Sequence, residues 1–156
     1  MDLILWRHAD AADGYPDAAR ELTEKGHAQA KRMAAWLNAR LPEDVLILAS
    51  PATRAQQTAA ALRRKVVTCD AADTAANAQG LLDAAGWPQG ARTTLIVGHQ
   101  PTLGRAAWVM LSGAEGDMSI KKGAVWWITA RPRGGNPHAV LRAVMAPELL
   151  RKDKHV

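Results

Sequence analysis

Leu3-Ile4-Leu5-Trp6-Arg7-His8 is the stretch of the sequence that decides the fold. Its four apolar residues are typical of a strand buried within a sheet. The apolar run ends abruptly in a fixed cation and an ionisable imidazole, which are therefore expected where the strand leaves the sheet. Because open α/β folds bind ligands at the carboxyl ends of their strands, the stretch predicts a ligand site at Arg7 and His8. A solvated strand end without function is the alternative that this pair alone leaves open.

Two further apolar runs, residues 45–49 and 94–97, end in a similar way. The first is followed by Ser50-Pro51, the predicted N-cap and first-turn proline of a helix that carries Arg54 near its start. The second is followed by Gly98 and then His99. Since the carboxyl ends of parallel strands share one edge of a sheet, we expect the three strand ends to bring four side chains together: Arg7, His8, Arg54 and His99.

The remaining segments alternate between helical and strand patterns. Thr23 is the predicted N-cap of a helix with an apolar stripe, which Pro42 closes. Further helices are predicted over residues 53–64, 80–85 and 101–111, and further strands over residues 66–68, 124–129 and 138–145. The last two strands follow one another after a short turn, so an antiparallel edge is expected. The pattern predicts one α/β domain over residues 1–156, a three-layer α/β/α sandwich with a mostly parallel, mixed sheet.

The overall composition favours a small anionic ligand over nucleic acid. The chain of 156 residues is 48% apolar and 22% charged, which is ordinary for a globular domain. The net charge of +5 suits either nucleic acid or an anionic substrate. The sequence contains neither a long basic run nor aromatic residues interleaved with basic ones, so nucleic acid is the weaker interpretation.

Several patterns lead us to expect a soluble, cytoplasmic monomer. The single cysteine, Cys69, excludes an internal disulfide, which agrees with a reducing compartment. Met1-Asp2 leads directly into the first strand, which leaves no room for a signal peptide. No apolar run approaches the roughly 18 residues that a membrane span needs. The chain ends in a basic tail over residues 151–155.

Two arginines and two histidines at one sheet edge would form a cationic pocket. A guanidinium group fits phosphate oxygens with two parallel hydrogen bonds. A neutral imidazole can attack phosphorus to form a covalent phosphohistidine, and nearby guanidinium groups favour the neutral form by charge repulsion. The same cations would stabilise the phosphoryl oxygens during transfer. They would also repel a metal ion, so neither a metal nor another cofactor is expected.

Four motifs, in this order along the chain, resemble those of the histidine phosphatase superfamily, also called phosphoglycerate mutase-like. They are Arg7-His8 after an apolar strand, Leu22-Thr23-Glu24-Lys25-Gly26 at a helix start, Ser50-Pro51-Ala52-Thr53-Arg54-Ala55-Gln56-Gln57-Thr58, and Gly98-His99-Gln100-Pro101. The third motif is the most specific. The resemblance covers most of the chain. The small size, without a cap insertion, is similar to that of the SixA-type branch, the phosphohistidine phosphatases.

The resemblance implies roles for individual residues. His8 would be the nucleophile, and water would hydrolyse phospho-His8. The phosphoryl group would be held by three further side chains: Arg7, Arg54 and His99. Arg20, just before the second motif, is a further candidate for substrate binding, and a solvated loop arginine is the alternative. Ala9 stands where the family usually has glycine.

The general acid departs from the family pattern. Many members carry a glutamate after the third strand, and this chain has no glutamate between Glu43 and Glu115. Asp73 is the nearest positional candidate for the proton donor, with Asp70 behind it. A missing strong acid would slow the hydrolysis of alkyl phosphate esters, whose alkoxide needs a proton. It would slow a phosphoramidate less, because imidazole is a better leaving group.

These observations predict a metal-independent phosphatase, SixA-like, that acts on phosphohistidine in a protein. Two alternatives stay open. One is a phosphatase for a small phosphomonoester with Asp73 as the acid, and the other is a non-catalytic module that binds a phosphorylated ligand. The expected partner is therefore a phosphorylated protein or a small phosphorylated substrate, without nucleic acid or membrane.

Overall fold

The computed structural model describes residues 1–133 and 136–150. The strands within these ranges are β1 (Asp2–Arg7), β2 (Leu46–Ala49), β3 (Val67–Thr68), β4 (Thr94–Gly98), β5 (Val125–Arg133) and β6 (Asn136–Met145). The α-helices are α1 (Glu24–Asn38), α2 (Thr53–Ala60), α3 (Ala78–Ala85) and α4 (Thr102–Ser112). Over the same ranges, no helix combines the length and hydropathy needed to cross a lipid bilayer. The basic tail over residues 151–155 lies outside the described residues.

The strands form one mixed sheet in the order β3-β2-β4-β1-β5-β6. The first four strands of this order pair in parallel. The last two strands, β5 and β6, are antiparallel to their neighbours. The prediction of a mostly parallel sheet with an antiparallel edge is confirmed.

The central strand β1 contributes to two separate cores because its side chains alternate between the faces of the sheet. Leu3 and Leu5 pack with residues of α3 and α4, and Ile4 and Trp6 pack with residues of α1 and α2. All four side chains are fully buried, and each contributes about 1.5–3 kcal/mol through the apolar area it removes from water. Two helices on each face make the predicted three-layer sandwich, which is confirmed.

The register of the parallel strands aligns their carboxyl ends. Arg7 at the end of β1 is paired with Gly98 at the end of β4, and Ala49 of β2 is paired with Val97 of β4. The next backbone hydrogen bonds continue the ladder, since the His8 amide donates to the Gly98 carbonyl at 3.1 Å. The first residues beyond three neighbouring strands therefore lie side by side at one edge: His8, Ser50 and His99.

Helix α1 begins where Thr23 was predicted to cap it. The Thr23 hydroxyl oxygen accepts from the Gly26 amide at 2.9 Å and donates to a carboxylate oxygen of Asp10 at 2.7 Å. The Thr23 amide also donates to the Asp10 carbonyl at 3.0 Å. The start of α1 thus fixes the loop that follows His8. Four residues of the predicted apolar stripe of α1 pack inward: Ala30, Met33, Ala34 and Leu37 are buried. The helix ends at Asn38, so the prediction that it continues through Leu41 to Pro42 is wrong, although Leu41 is itself buried.

Gly26 permits this close approach, because a Cβ atom there would overlap the Asp10 carbonyl. We expect Gly26→Ala to destabilise the fold by about 1–3 kcal/mol through overpacking, as measured by chemical denaturation. The matched control is Gly14→Ala, where a Cβ would make only an ordinary contact with Arg20. Equal stability of the two variants would show that Gly26 is not required for this packing.

Helix α2 begins at Thr53 as predicted, but its N-cap residue and its end differ from the prediction. It begins at Thr53 with Ala52 as N-cap, so the prediction that Ser50 caps the helix is wrong. The helix ends at Ala60 rather than near Arg64, because Arg63 adopts a left-handed conformation with φ of 55°. Arg64 then turns away from the helix, and its guanidinium donates to the Pro42 carbonyl at 2.8 Å. The position of Arg54 in the first turn is as predicted.

Candidate active site

The hydrogen bond that His8 makes determines which of its two ring nitrogens is available for reaction. It is buried at the end of β1, and its Nδ1 lies 2.7 Å from the carbonyl oxygen of Ala9. A carbonyl oxygen only accepts hydrogen bonds, so Nδ1 carries the proton in the neutral ring. The lone pair is therefore on Nε2, which is the atom available for attack.

The pocket keeps both of its imidazoles neutral. The pKa of His8 is lowered to about 3, first by burial and further by neighbouring cationic side chains that include Arg54 and Arg7. The pKa of His99 is lowered to about 4, first by burial and then by Arg54. The two ring centroids are 5.2 Å apart. At neutral pH the site therefore holds two neutral imidazoles beside two guanidinium cations.

Arg7 points into the same region from the end of β1. Its Nη1 donates to the Ile120 carbonyl at 2.9 Å, which fixes the guanidinium plane. Its Nε is buried and has no hydrogen-bond partner within the described part of the chain. A buried donor without a partner is costly, and an anion in the pocket would satisfy it.

Arg54 is held from the loop that follows β1. Its Nη1 donates to the Asp17 carbonyl oxygen at 2.8 Å, and its Nη2 donates to an Asp17 carboxylate oxygen at 3.1 Å. The Arg54 side chain is only 5% exposed. Its Nε is buried and, like that of Arg7, lacks a partner among the described residues. The pocket therefore contains two guanidinium groups, each positioned through other nitrogens and each with an unsatisfied Nε.

His99 follows β4 and contacts Ser50. Its Nε2 lies 2.7 Å from the Ser50 hydroxyl oxygen. Its Nδ1 is buried, and no hydrogen-bond partner for it exists in residues 1–133 and 136–150. The structure thus brings together the four side chains that the sequence predicted would converge: Arg7, His8, Arg54 and His99.

The polar residues of the motif over residues 50–58 hold these groups in place. The Thr58 hydroxyl donates to the Arg54 carbonyl at 2.7 Å and accepts from the Ala9 amide at 3.1 Å. Gln57 accepts from the Leu22 amide at 2.7 Å. Helix α2 is therefore fastened to the loop after His8 and to the segment before α1. These contacts of Thr58 and Gln57 were not predicted from the sequence, because they join segments that are far apart in the chain.

Arg20 contacts Asp17 rather than one of the four converging side chains. Its Nη1 lies 3.0 Å from Asp17 Oδ1, and its Nε donates to the Ala12 carbonyl. Asp17 consequently bridges Arg20 and Arg54. Hydrogen bonds from these two arginines lower the pKa of Asp17, with Arg20 the larger contributor. Asp17 was not predicted as a site residue, and only its place in the loop after His8 could have suggested it.

Asp73 lies near the pocket but does not contact its central residues. It follows a short turn over Asp70–Ala72, and its Oδ1 accepts from the Thr74 amide at 2.7 Å. None of its hydrogen bonds reaches His8 or His99, although its charge acts to raise the pKa of His99. Its role as proton donor stays a prediction. Within the described residues, no group of three His, Cys, Asp or Glu side chains is arranged to hold a metal ion.

A broad groove of about 1580 Å³ adjoins the pocket through Arg7 and Asp10. It runs along the outer side of α1 toward residues 147–150. Cations outnumber carboxylates in its lining: Arg7, Lys25, Lys31, Arg32, Lys121 and Lys122 against Asp10, Glu24 and Glu148. Such a groove offers an extended anionic surface a place beside the pocket.

Comparisons with known proteins agree with this arrangement. The family model of the histidine phosphatase superfamily (branch 1) matches residues 3–77. The phosphohistidine phosphatase SixA of Escherichia coli is 30% identical over an alignment of 118 residues, and the match covers 67% of this chain and 70% of SixA. An uncharacterised protein of Mycobacterium tuberculosis is 32% identical over an alignment of 118 residues, and the match covers 73% of this chain and 75% of that protein.

The solved structures show the same fold. The protein histidine phosphatase SixA in complex with tungstate superimposes with a TM-score of 0.79 at 23% identity, covering 97% of this chain and all of that one. A phosphoserine phosphatase of Entamoeba histolytica superimposes with a TM-score of 0.67 at 19% identity, covering 94% of this chain and 98% of that one.

A cationic pocket around a neutral imidazole suits phosphoryl transfer, and together with the matches to the histidine phosphatase superfamily and to SixA structures it supports a phosphatase. The fold is the phosphoglycerate mutase-like fold of the SixA structures. The chain belongs to the histidine phosphatase superfamily, and its relatives in sequence and structure include SixA proteins.

Proposed function

We propose that the protein hydrolyses phosphohistidine carried on another protein, without a metal ion, through a phosphorylated His8. The observation that carries the proposal is that, within residues 1–133 and 136–150, no carboxyl group hydrogen-bonds to the His8 ring, whose hydrogen bond goes to the Ala9 carbonyl. Hydrogen bonds lower the pKa of Asp10, chiefly the one from Thr23, and the pKa of Asp17, chiefly the one from Arg20. Both carboxylates are ionised at neutral pH and have no proton to give.

A phosphohistidine substrate does not need that acid. Its second ring nitrogen takes a proton from solvent, so the ring leaves as neutral imidazole when the P–N bond breaks. The Nε2 lone pair of His8 forms the new P–N bond, with three nitrogen donors stabilising the phosphoryl oxygens: Arg7 Nε, Arg54 Nε and His99. Water then attacks phospho-His8, which releases inorganic phosphate and regenerates the imidazole.

The groove beside Arg7 supports a protein substrate. A small phosphate ester needs only the pocket, whereas a phosphorylated protein also presents a surface around its histidine. The excess of cationic side chains along the groove suits an acidic surface. The similarity to the phosphohistidine phosphatase SixA of Escherichia coli points in the same direction.

The test compares substrates on one enzyme preparation. We expect kcat/KM for a histidine-phosphorylated carrier protein to exceed that for phosphoserine and phosphoglycerate by about 100-fold or more, because the esters need a general acid. Asp73→Asn should leave the phosphohistidine rate nearly unchanged. Faster turnover of the esters, with a loss in Asp73→Asn, would instead support the phosphomonoesterase with Asp73 as acid.

Two further measurements test the remaining parts of the proposal. A chelator should leave the rate unchanged, and a loss that divalent metal restores would refute metal independence.

Lys31→Glu in the groove should raise KM for the carrier protein but not for free phosphohistidine. Lys65→Glu, which lies outside the groove, is the control. An equal KM for the carrier protein in the two variants would contradict docking along α1.

A further inference from the structure

Ser50 is a buried hydroxyl whose hydrogen-bonding capacity can be fully counted. It follows β2 and is fully buried. Its own backbone is fixed, since its amide donates to the Val97 carbonyl at 3.0 Å and its carbonyl accepts from the Gln56 side chain at 2.9 Å. Its hydroxyl oxygen has two neighbours among the described residues: the Ala52 amide at 3.2 Å and His99 Nε2 at 2.7 Å.

Counting protons and lone pairs shows whether the Ser50 hydroxyl or His99 Nε2 is the donor in the hydrogen bond between them. A hydroxyl has one proton and two acceptor lone pairs. The Ala52 amide donates, so it occupies one lone pair. If His99 Nε2 also donated, the hydroxyl proton would be buried, and no acceptor for it exists within residues 1–133 and 136–150. If the hydroxyl donates to Nε2, the hydroxyl proton, the Nε2 lone pair and the Ala52 amide are all satisfied, and among these groups only His99 Nδ1 lacks a partner within the described residues.

We propose that Ser50 is a positioning residue that holds His99 in the tautomer protonated at Nδ1, so that His99 donates a hydrogen bond to the phosphoryl group. The tautomer of a neutral histidine is set by the hydrogen bond that its other nitrogen makes. Nδ1 is the buried nitrogen that has no partner among the described residues. A proton there attracts a phosphoryl oxygen, whereas a lone pair there would repel it.

The two histidines then have the same tautomer but opposite tasks. The Ala9 carbonyl fixes the proton of His8 on Nδ1, which leaves the Nε2 lone pair for phosphorus. The Ser50 hydroxyl occupies the Nε2 lone pair of His99, which leaves the Nδ1 proton for oxygen. A neutral His99 can thus bind the phosphoryl group without carrying a charge. For the neutral ring, the tautomer assignment stands on the hydrogen-bond geometry at Ser50, and its effect on turnover rests on the proposed function.

The direct test is nitrogen NMR of the protein labelled with ¹⁵N in its histidine rings, at neutral pH. Long-range ¹H–¹⁵N correlations distinguish a protonated from an unprotonated ring nitrogen, and the His99→Gln variant assigns the signals. We expect a protonated Nδ1 and an unprotonated Nε2 at His99 in the unaltered protein. A protonated Nε2 would overturn the proposal, and this measurement needs no substitution at Ser50.

Substitution of Ser50 tests whether its hydroxyl sets the tautomer of His99. In Ser50→Ala, the Nε2-protonated tautomer should become populated, and kcat/KM should fall about 10- to 100-fold with His8 still in place. Ser112→Ala, at the exposed end of α4, is the matched control and should change neither. An unchanged tautomer in a folded Ser50→Ala protein would contradict the proposal. Because the tautomer is measured without substrate, a failure of phosphohistidine hydrolysis with Nδ1 protonated would overturn only the proposed function.

Discussion

Replacing His8 by alanine should abolish turnover, with kcat reduced by about 10⁴-fold or more, because the replacement removes the imidazole that would form the P–N bond. Rapid quenching of the unaltered enzyme during turnover should reveal acid-labile phosphate on the protein. The His8→Ala variant should show none. His27→Ala, which changes an exposed histidine of α1, should behave like the unaltered protein.

This experiment also separates an enzyme from a module that only binds a phosphorylated ligand. A binding module would show no turnover even before the substitution. If His8→Ala kept an activity close to that of the unaltered protein, the nucleophile would have to be another residue. A phosphorylated intermediate that persists without His8 would have the same meaning.

The His8→Ala variant should also lose less folding stability in acid than the unaltered protein. The pKa of His8 is lowered in the fold to about 3 from an ordinary value of 6.5. Between these values the unfolded chain binds the proton and the folded chain does not. Stability therefore falls as the pH drops through this window, by up to about 1.4 kcal/mol per pH unit for this one group. Denaturation at pH 7 and pH 5 should show a smaller difference for the variant than for the unaltered protein.

The second large effect is expected at Arg54. Arg54→Ala should lower kcat by about 10²- to 10³-fold, because it removes a preorganised donor to the oxygens of the phosphoryl group. Arg54→Lys should restore only part of this, since a lysine cannot donate through a planar fork. The measurement is steady-state kinetics on the phosphorylated carrier protein. Arg105→Ala, which removes an exposed partner of Asp117, is the control.

Asp17 makes the Arg54 test more specific. Asp17→Asn keeps the backbone carbonyl that binds Arg54 Nη1 and removes only the carboxylate charge. Because Asp17 is 58% exposed, its ion pair with Arg54 should change the rate by less than about fivefold. A loss in Asp17→Asn as large as that in Arg54→Ala would show that the carboxylate itself takes part in the reaction.

Much of the site could be predicted because its residues are adjacent to strong local signals. His8, Arg54 and His99 each follow an apolar run that reads as a buried strand, and parallel strands place their ends at one edge. The helix start at Thr23 and the turn at Gly86, which ends α3 in a left-handed conformation, are local as well. Such features need no knowledge of the rest of the fold.

The parts that could not be predicted depend on contacts between distant segments. Ser50 precedes a proline, a sequence typical of a helix N-cap. Its hydroxyl nevertheless contacts His99, because β2 and β4 are neighbours in the sheet. Asp17 binds Arg54, which lies 37 residues later in the chain, and no local sequence pattern predicts this contact. Asp73 remains a prediction, because its described hydrogen bonds stay within its own turn.

The strand order has a consequence for how the pocket arises during folding. Strand β4 lies between β1 and β2, although it is far later in the chain. The two earlier strands therefore have no native partner in each other, and loop closure over such distances is slow. On the ribosome, the segments that carry His8 and Arg54 must wait until β4 has been synthesised. Because His99 directly follows β4, the phosphate pocket and the centre of the sheet both depend on the pairing of this one strand.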